Sequence, residues 1–276
     1  MIEFRNVDFS IDGRPILSNV SFVVQQRQTR VILGPSGSGK STILRLLIGL
    51  WVPDAGNILV HGEDITQAGP DRLREIRKAM GIVFQHGALF DSMTVGENIG
   101  YTLLEDKHPE DEIEEVVAKY LTQVGLHPEI GDRMPEELSG GMQRRVAIAR
   151  ALAARNPGIL LYDEPTTGLD PQSAERITDL ILHLRDAMGK TSIMVTHDIA
   201  DAFKVGNRIT VLNEGRSVFE GTPEDLNAAQ DPFIAEFLEP FRKAVAAACQ
   251  RMDEGGPSAG ARFRPGTPRP QPGGTS

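Results

Sequence analysis

Apolar residues recur along the chain with two different periods. Val7, Phe9 and Ile11 alternate with polar neighbours, and Val20, Phe22 and Val24 do the same. Alternation of this kind predicts strands of a sheet with one wet face. Thr29–Leu33 is a short apolar strand, and 34–40 is a loop leading into a helix over Ser41–Leu50. Asn57–Val60 and Gly81–Phe84 are further expected strands. From His108 to Val124 the period becomes helical, with Ile113, Val116, Val117, Tyr120, Leu121 and Val124 on one face. Pro109 suits the first turn of that helix and Gly125 its end. Another helix opens at Ser139, carrying Met142, Val146 and Ala149 at helical spacing. Gly158–Tyr162 (GILLY) is a continuous apolar run, as a strand buried on both faces requires. A helix over Pro171–Met188, a strand over Ser192–Thr196 and a hairpin of Ile209–Leu212 with Ser217–Glu220 follow. Phe241–Met252 reads as a short alanine-rich helix. The stretch Asp253–Ser276, rich in Gly and Pro and carrying Arg262, Arg264 and Arg269, is expected to be a flexible tail.

Composition narrows the partners. The chain has 276 residues, 40% of them hydrophobic, enough for one large or two small domains with a real core. A net charge of −9 argues against a nucleic-acid groove, which calls for a basic stripe. The single cysteine, Cys249, forms no intrachain disulfide and fits a reducing compartment. Glu3, Arg5, Asp8 and Asp12 open the chain without a long apolar run, so no signal peptide is expected. The longest apolar stretch, near Leu46–Val52, is too short to span a bilayer. A soluble chain is expected, and any membrane role would come through a partner.

The strongest chemical signal is GPSGSGKS, Gly34–Ser41, which fits G-x-x-x-x-G-K-[ST] between a strand and a helix. Gly34, Pro35, Ser36, Gly37, Ser38 and Gly39 let backbone N–H groups converge on phosphates, with Thr42 directly after the motif. Lys40 adds charge at the outer phosphates, and the Ser41 hydroxyl can ligate Mg²⁺. A magnesium nucleotide site needs a second anion, and Asp163 and Glu164 supply it after the GILLY strand. Asp163 would hold the metal, and Glu164 would orient and polarise the attacking water. Alone, an Asp-Glu pair after a strand is a solvated turn; behind a buried strand in a phosphate-loop protein the chemical role prevails. His197 follows the strand SIMVT, and Gln85 follows GIVF. Strand ends of a parallel sheet converge on the ligand crevice, which puts His197 near the γ-phosphate and Gln85 near metal or water.

A second glycine-rich helix start, Ser139, Gly140 and Gly141, gives up helix stability, roughly 1 kcal/mol for each glycine. A bare helix N-terminus lets an anion approach closely. One such site already serves the nucleotide, so a second is redundant unless it grips from the opposite side, as it would if it came from another copy of the chain. Ordinary capping by Ser139 is the plainer alternative.

LSGGMQ (Leu138–Gln143), together with GPSGSGKS, ILLYDEP and Thr196–His197, resembles the ATP-binding cassette (ABC) ATPases over about 1–238. The resemblance implies an α/β P-loop NTPase fold: a RecA-like core with a parallel sheet, an antiparallel β subdomain and a helical signature subdomain at about 86–155. It implies a C-terminal extension over 239–276. It also implies a head-to-tail homodimer with two Mg²⁺-ATP between the subunits, Ser139–Gly141 of one facing the nucleotide of the other. Gly168, Leu169 and Asp170 match the loop that links the two sites, and Gln85 matches the sensor of the membrane partner. The family usually places an aromatic ring under adenine; the aligned position here is Ile11, with Phe9 nearby.

FQHGALFDSMTVGENI (Phe84–Ile99), LSGGMQRRVAIARAL and LYDEPTTGLDP (Leu161–Pro171) are similar to the ATPases of Mla-type lipid-asymmetry systems. That resemblance implies a permease, MCE-domain lipid-binding proteins and, in many such systems, a STAS-domain subunit. It also implies a place on the cytoplasmic face of the inner membrane, held by the permease, with Ala88, Leu89, Phe90 and Met93 at the docking surface. An ATPase of a polar amino-acid importer is the main alternative. ABC ATPases of ribosomes or DNA form a rival class, disfavoured by the single cassette, the absence of a heptad run and the acidic balance.

Overall fold

The computed structural model describes residues 1–254. The two alternating segments form an antiparallel pair, β1 (Ile2–Ile11) and β2 (Arg14–Val24). Next come β3 (Thr29–Leu33), α1 (Lys40–Leu47), β4 (Ala55–Val60), β5 (Glu63–Asp64), α2 (Pro70–Lys78) and β6 (Met80–Val83). A helical layer follows, made of α3 (Val95–Glu105), α4 (Glu110–Gln123) and α5 (Gly140–Ala153). The chain then returns through β7 (Ile159–Asp163), α6 (Pro171–Asp186), β8 (Thr191–Thr196) and α7 (Ile199–Val205). It closes with β9 (Arg208–Asn213), β10 (Arg216–Gly221), α8 (Pro223–Ala228) and α9 (Pro232–Glu254).

Two sheets result. The smaller is antiparallel, in the order β2-β1-β4-β5; the larger runs β10-β9-β3-β8-β7-β6. In the larger sheet every pairing but the β9–β10 hairpin is parallel. Its central strands are covered on both faces, and successive side chains enter different cores, as a pleat demands. Val31, Leu33, Leu160, Tyr162 and Met194 pack with the helices of one core. Ile32, Ile159, Leu161, Ile193 and Val195 pack with α1 and the smaller sheet in the other. The phosphate-loop strand is thus anchored in both layers.

Differences from the expected elements have local causes. The first helix starts at Lys40 and ends at Leu47, because Gly49 adopts a left-handed turn (φ 65°) that stops it. Helices α2, α3, α7 and α8 are additional to the expected ones. The expected helix at 241–252 is part of α9, which begins nine residues earlier and carries Pro240 inside it. Ile234 and Leu238 bury its first half, and Phe241 stacks on Phe203 at 5.3 Å. The helix therefore runs unbroken through position 238, where the cassette and extension were expected to meet. The first two residues of the expected tail, Asp253 and Glu254, belong to α9 instead; the rest of it, with its arginines, lies outside the described residues. Among the described residues no helix is long and apolar enough to cross a membrane.

Candidate active site

The carboxyl ends of β3, β6, β7 and β8 put several predicted residues around one cleft of about 340 Å³. Ser36, Gly37, Gly39, Lys40, Ser41, Thr42, Arg45, Gln85, Glu164 and His197 line it. Gly39 precedes α1 with a left-handed backbone (φ 99°), and a Cβ there would lie 2.7 Å from Leu17 Cδ2 and 2.9 Å from Ile16 O. Only glycine fits this turn, which aims the first N–H groups of α1 at the cleft.

Lys40 Nζ donates to Gly34 O (2.9 Å) and Pro35 O (3.0 Å) and lies 3.7 Å from Glu164 Oε1. Burial pulls its pKa down from the usual lysine value, against the pull of Glu164 and Asp163. Ser41 Oγ donates to Asp163 Oδ1 at 2.9 Å. Burial pushes the Asp163 carboxyl up, opposed by that hydrogen bond and by Arg45 and Lys40. Glu164 Oε2 accepts from Thr167 Oγ1 (2.9 Å) and faces His197 Nδ1 at 2.8 Å. The carboxylate is buried and its backbone is left-handed (φ 49°), which a non-glycine residue adopts only when its surroundings hold it there.

These groups fit a phosphorylated, metal-bearing ligand. The Ser38 hydroxyl is buried in the phosphate loop with no hydrogen-bond partner among the described residues, as befits a group that binds an anion. The Ser41–Asp163 pair is a hydroxyl–carboxylate donor set suited to Mg²⁺. A wider groove of about 530 Å³ in the helical layer is lined by Glu97, Glu110, Glu114 and Asp132, an acidic set that repels phosphate.

Ser139, Gly140 and Gly141 do not line the phosphate cleft. Ser139 caps α5, accepting from Met142 N at 3.3 Å, and both Ser139 and Gly140 are exposed. The tip packs instead on the loop and first turn before and within α6. A Cβ on Gly140 would meet Leu169 Cδ2 at 3.3 Å, and one on Gly141 would clash with Ser173 Oγ at 2.7 Å. Asp170 caps α6, accepting from Ser173 N at 3.0 Å. The structure therefore sorts the predicted residues into two groups, one around the cleft and one at 139–141 with 168–173.

Phe9 is buried and its ring stacks on Trp51 at 5.1 Å, so it is not free to stack a base; Ile11 is exposed. Sequence reasoning missed Thr167, Arg45 and Arg144. Thr167 and Arg45 lie within or beside recognised motifs and could have been included. The signal for Arg144 was a charged residue in the otherwise apolar register of α5.

The ABC transporter family matches residues 17–167 of the chain. The intermembrane phospholipid transport system ATP-binding protein MlaF of Haemophilus influenzae is 39% identical over 240 residues, 87% of this chain and 90% of that protein. The methionine import ATP-binding protein MetN of Caulobacter vibrioides is 40% identical over 82% of this chain and 68% of its own length. Among solved structures, the ATP-binding cassette MJ0796, a dimer in a post-hydrolysis state bound to ADP and Pi, superposes with a TM-score of 0.73. It shares 34% identity and covers 81% of this chain and 99% of the cassette. With the phosphate loop, the paired carboxylates and the signature helix in place on this fold, the chain belongs to the ABC transporter family, as one of its ATP-binding, ATP-hydrolysing subunits.

Proposed function

We propose that the chain works as a homodimer, powering a membrane permease that moves phospholipid between membranes. The observation that carries the dimer is the separation of the two anion-binding features: the 139–141 tip lies outside the phosphate cleft of its own chain. A second copy arranged head to tail would bring that tip to the nucleotide, consistent with the dimeric MJ0796 cassette.

In this reading ATP sits with its phosphates on Gly34–Thr42, and its γ-phosphate meets Lys40 and Ser36 of one copy and Ser139 and Gly141 of the other. The Asp170 loop lies beside that tip at the interface. Ser41, Asp163 and Gln85 would hold Mg²⁺, which neutralises phosphate charge when bound. Glu164 accepts the proton of the attacking water, with its orientation fixed by Thr167 and His197. His197 also contacts the γ-phosphate. Each charge-assisted bond across the interface contributes roughly 1.5–3 kcal/mol. Turning a mostly open pair into a mostly closed one takes about 5.5 kcal/mol, within reach of two or three such bonds at each site. Hydrolysis detaches the γ-phosphate and removes the bridge, and the pair reopens. Exposed Ala88 and Phe90, close after Gln85, would pass this stroke to the permease at the cytoplasmic face of the inner membrane.

The phospholipid cargo is supported by the lengths matched. The chain spans 90% of MlaF but 68% of MetN. MCE-domain and STAS-domain proteins complete the expected assembly. Replacing Glu164 with Gln tests the engine: the variant should bind ATP, hydrolyse it poorly and accumulate as a dimer in sedimentation. Normal turnover would remove Glu164 from the mechanism. Co-purification of the permease tests the cargo, bound phospholipid supporting the reading and a bound amino acid replacing it with the importer alternative.

A further inference from the structure

Arg144 sits inside α5 among Val146, Ala147, Ile148 and Ala149 and is buried. A buried guanidinium is costly unless its donors are used. Arg144 Nη1 donates to Phe84 O at 3.0 Å and to Glu164 O at 3.3 Å, both main-chain carbonyls. Phe84 O belongs to the peptide leading into Gln85, and Glu164 O to the carboxylate residue itself. The same side chain thus ties α5 to the ends of β6 and β7, where the two cleft-lining residues emerge.

The support at Glu164 is two-sided. Its N–H donates to Val195 O of β8 at 3.0 Å, and its carbonyl is taken by Arg144. Between these anchors the residue is held in its left-handed conformation, which sets the direction of the carboxylate. Arg150, farther along α5, holds the next part of the loop through Gly87 O (2.9 Å) and Ala88 O (2.7 Å). Of the two, Arg144 is the one bonded to Glu164.

We propose that Arg144 is a positioning residue for hydrolysis: it holds the peptides that carry Gln85 and Glu164, and so sets the carboxylate against the attacking water. The inference rests on Glu164 acting on that water. Because Ser139 caps the same helix, Arg144 also connects the signature tip to the carboxylate of its own subunit.

The test compares the full-length protein with Arg144→Met, Arg144→Lys and Glu164→Gln. Steady-state ATP hydrolysis, ATP affinity and thermal unfolding are measured for each. Arg144→Met should lower kcat by about 10- to 100-fold, as displacement of a reacting group does, with ATP affinity unchanged. Arg144→Lys keeps a donor and should recover part of the lost kcat. Full kcat in a folded Arg144→Met variant overturns the proposal. So does parallel loss of affinity and kcat, or failure of both Arg144 variants to fold, because a purely structural residue gives those results. If Glu164→Gln is inactive while Arg144→Met is fully active, only the role of Arg144 falls. If Glu164→Gln hydrolyses normally, the reading of Glu164 falls first.

Discussion

Asp201 shows how the surroundings of the cleft act on a single charge. Its carboxylate accepts from Thr166 Oγ1, and burial, the largest influence, pushes its pKa up to about 6, with Asp198 and Glu164 adding repulsion. The folded state therefore favours the protonated acid more than the unfolded chain does. The stability this costs is absent below the unfolded pKa, grows between about pH 4 and 6, and is complete above that. An upper limit is about 3 kcal/mol, and solvent access reduces it to about 1 kcal/mol. Asp201→Asn keeps an acceptor for Thr166 and removes the charge. Denaturant melts should show the variant more stable at about pH 8, with the gap closing towards about pH 4. A gap independent of pH would mean that the carboxylate ionises freely in the fold. At this scale the phosphate loop and the acid pair were legible in the sequence, because their chemistry demands fixed residue types at fixed spacing. Arg144 was not legible as a partner of the site. Its acceptors are main-chain carbonyls 60 and 20 residues away, which leave no trace in the sequence.

Among the elements, α5 carries the most competing demands. Its bare start suits an anion or a plain Ser139 cap, yet Gly141 is also required by packing, since a side chain there would strike Ser173. Gly141→Ala should destabilise the fold by about 1–3 kcal/mol through overpacking. Adding Ser173→Gly removes the clashing Oγ and Cβ and should restore most of the melting temperature. If ATP hydrolysis returns along with stability, the glycine is there for packing alone; if it stays low in the folded double variant, the tip also serves the nucleotide. The central strands were legible because continuous apolar runs such as Ile159–Tyr162 have few other homes than a sheet covered on both faces. Helix α3 was missed although Thr94 and Glu97 form a reciprocal cap at its start, because Gly96 and Gly100 interrupt its apolar face. Gly100 is itself a packing position, where a Cβ would lie 2.7 Å from Ile113 Cγ2 of α4.

For the whole molecule, the separation of the two residue groups makes a statement about assembly. If each site draws its lysine loop and its signature tip from different copies, two damaged chains can repair one another. Lys40→Ala should abolish nucleotide binding, and Ser139→Arg should spare it while blocking closure. Mixed together, they can form a heterodimer in which one site is doubly damaged and the other is intact. Hydrolysis should therefore reappear on mixing; if it does not, each site is built within one chain. The chain also has a single tryptophan, Trp51, clamped between the Phe9 ring and the Arg45 guanidinium, which lies 5.0 Å from the Trp51 ring centroid. Arg45 also lines the phosphate cleft. The ring that occupies Phe9 is thus also the molecule's one indole fluorophore, a single arginine away from the phosphate cleft.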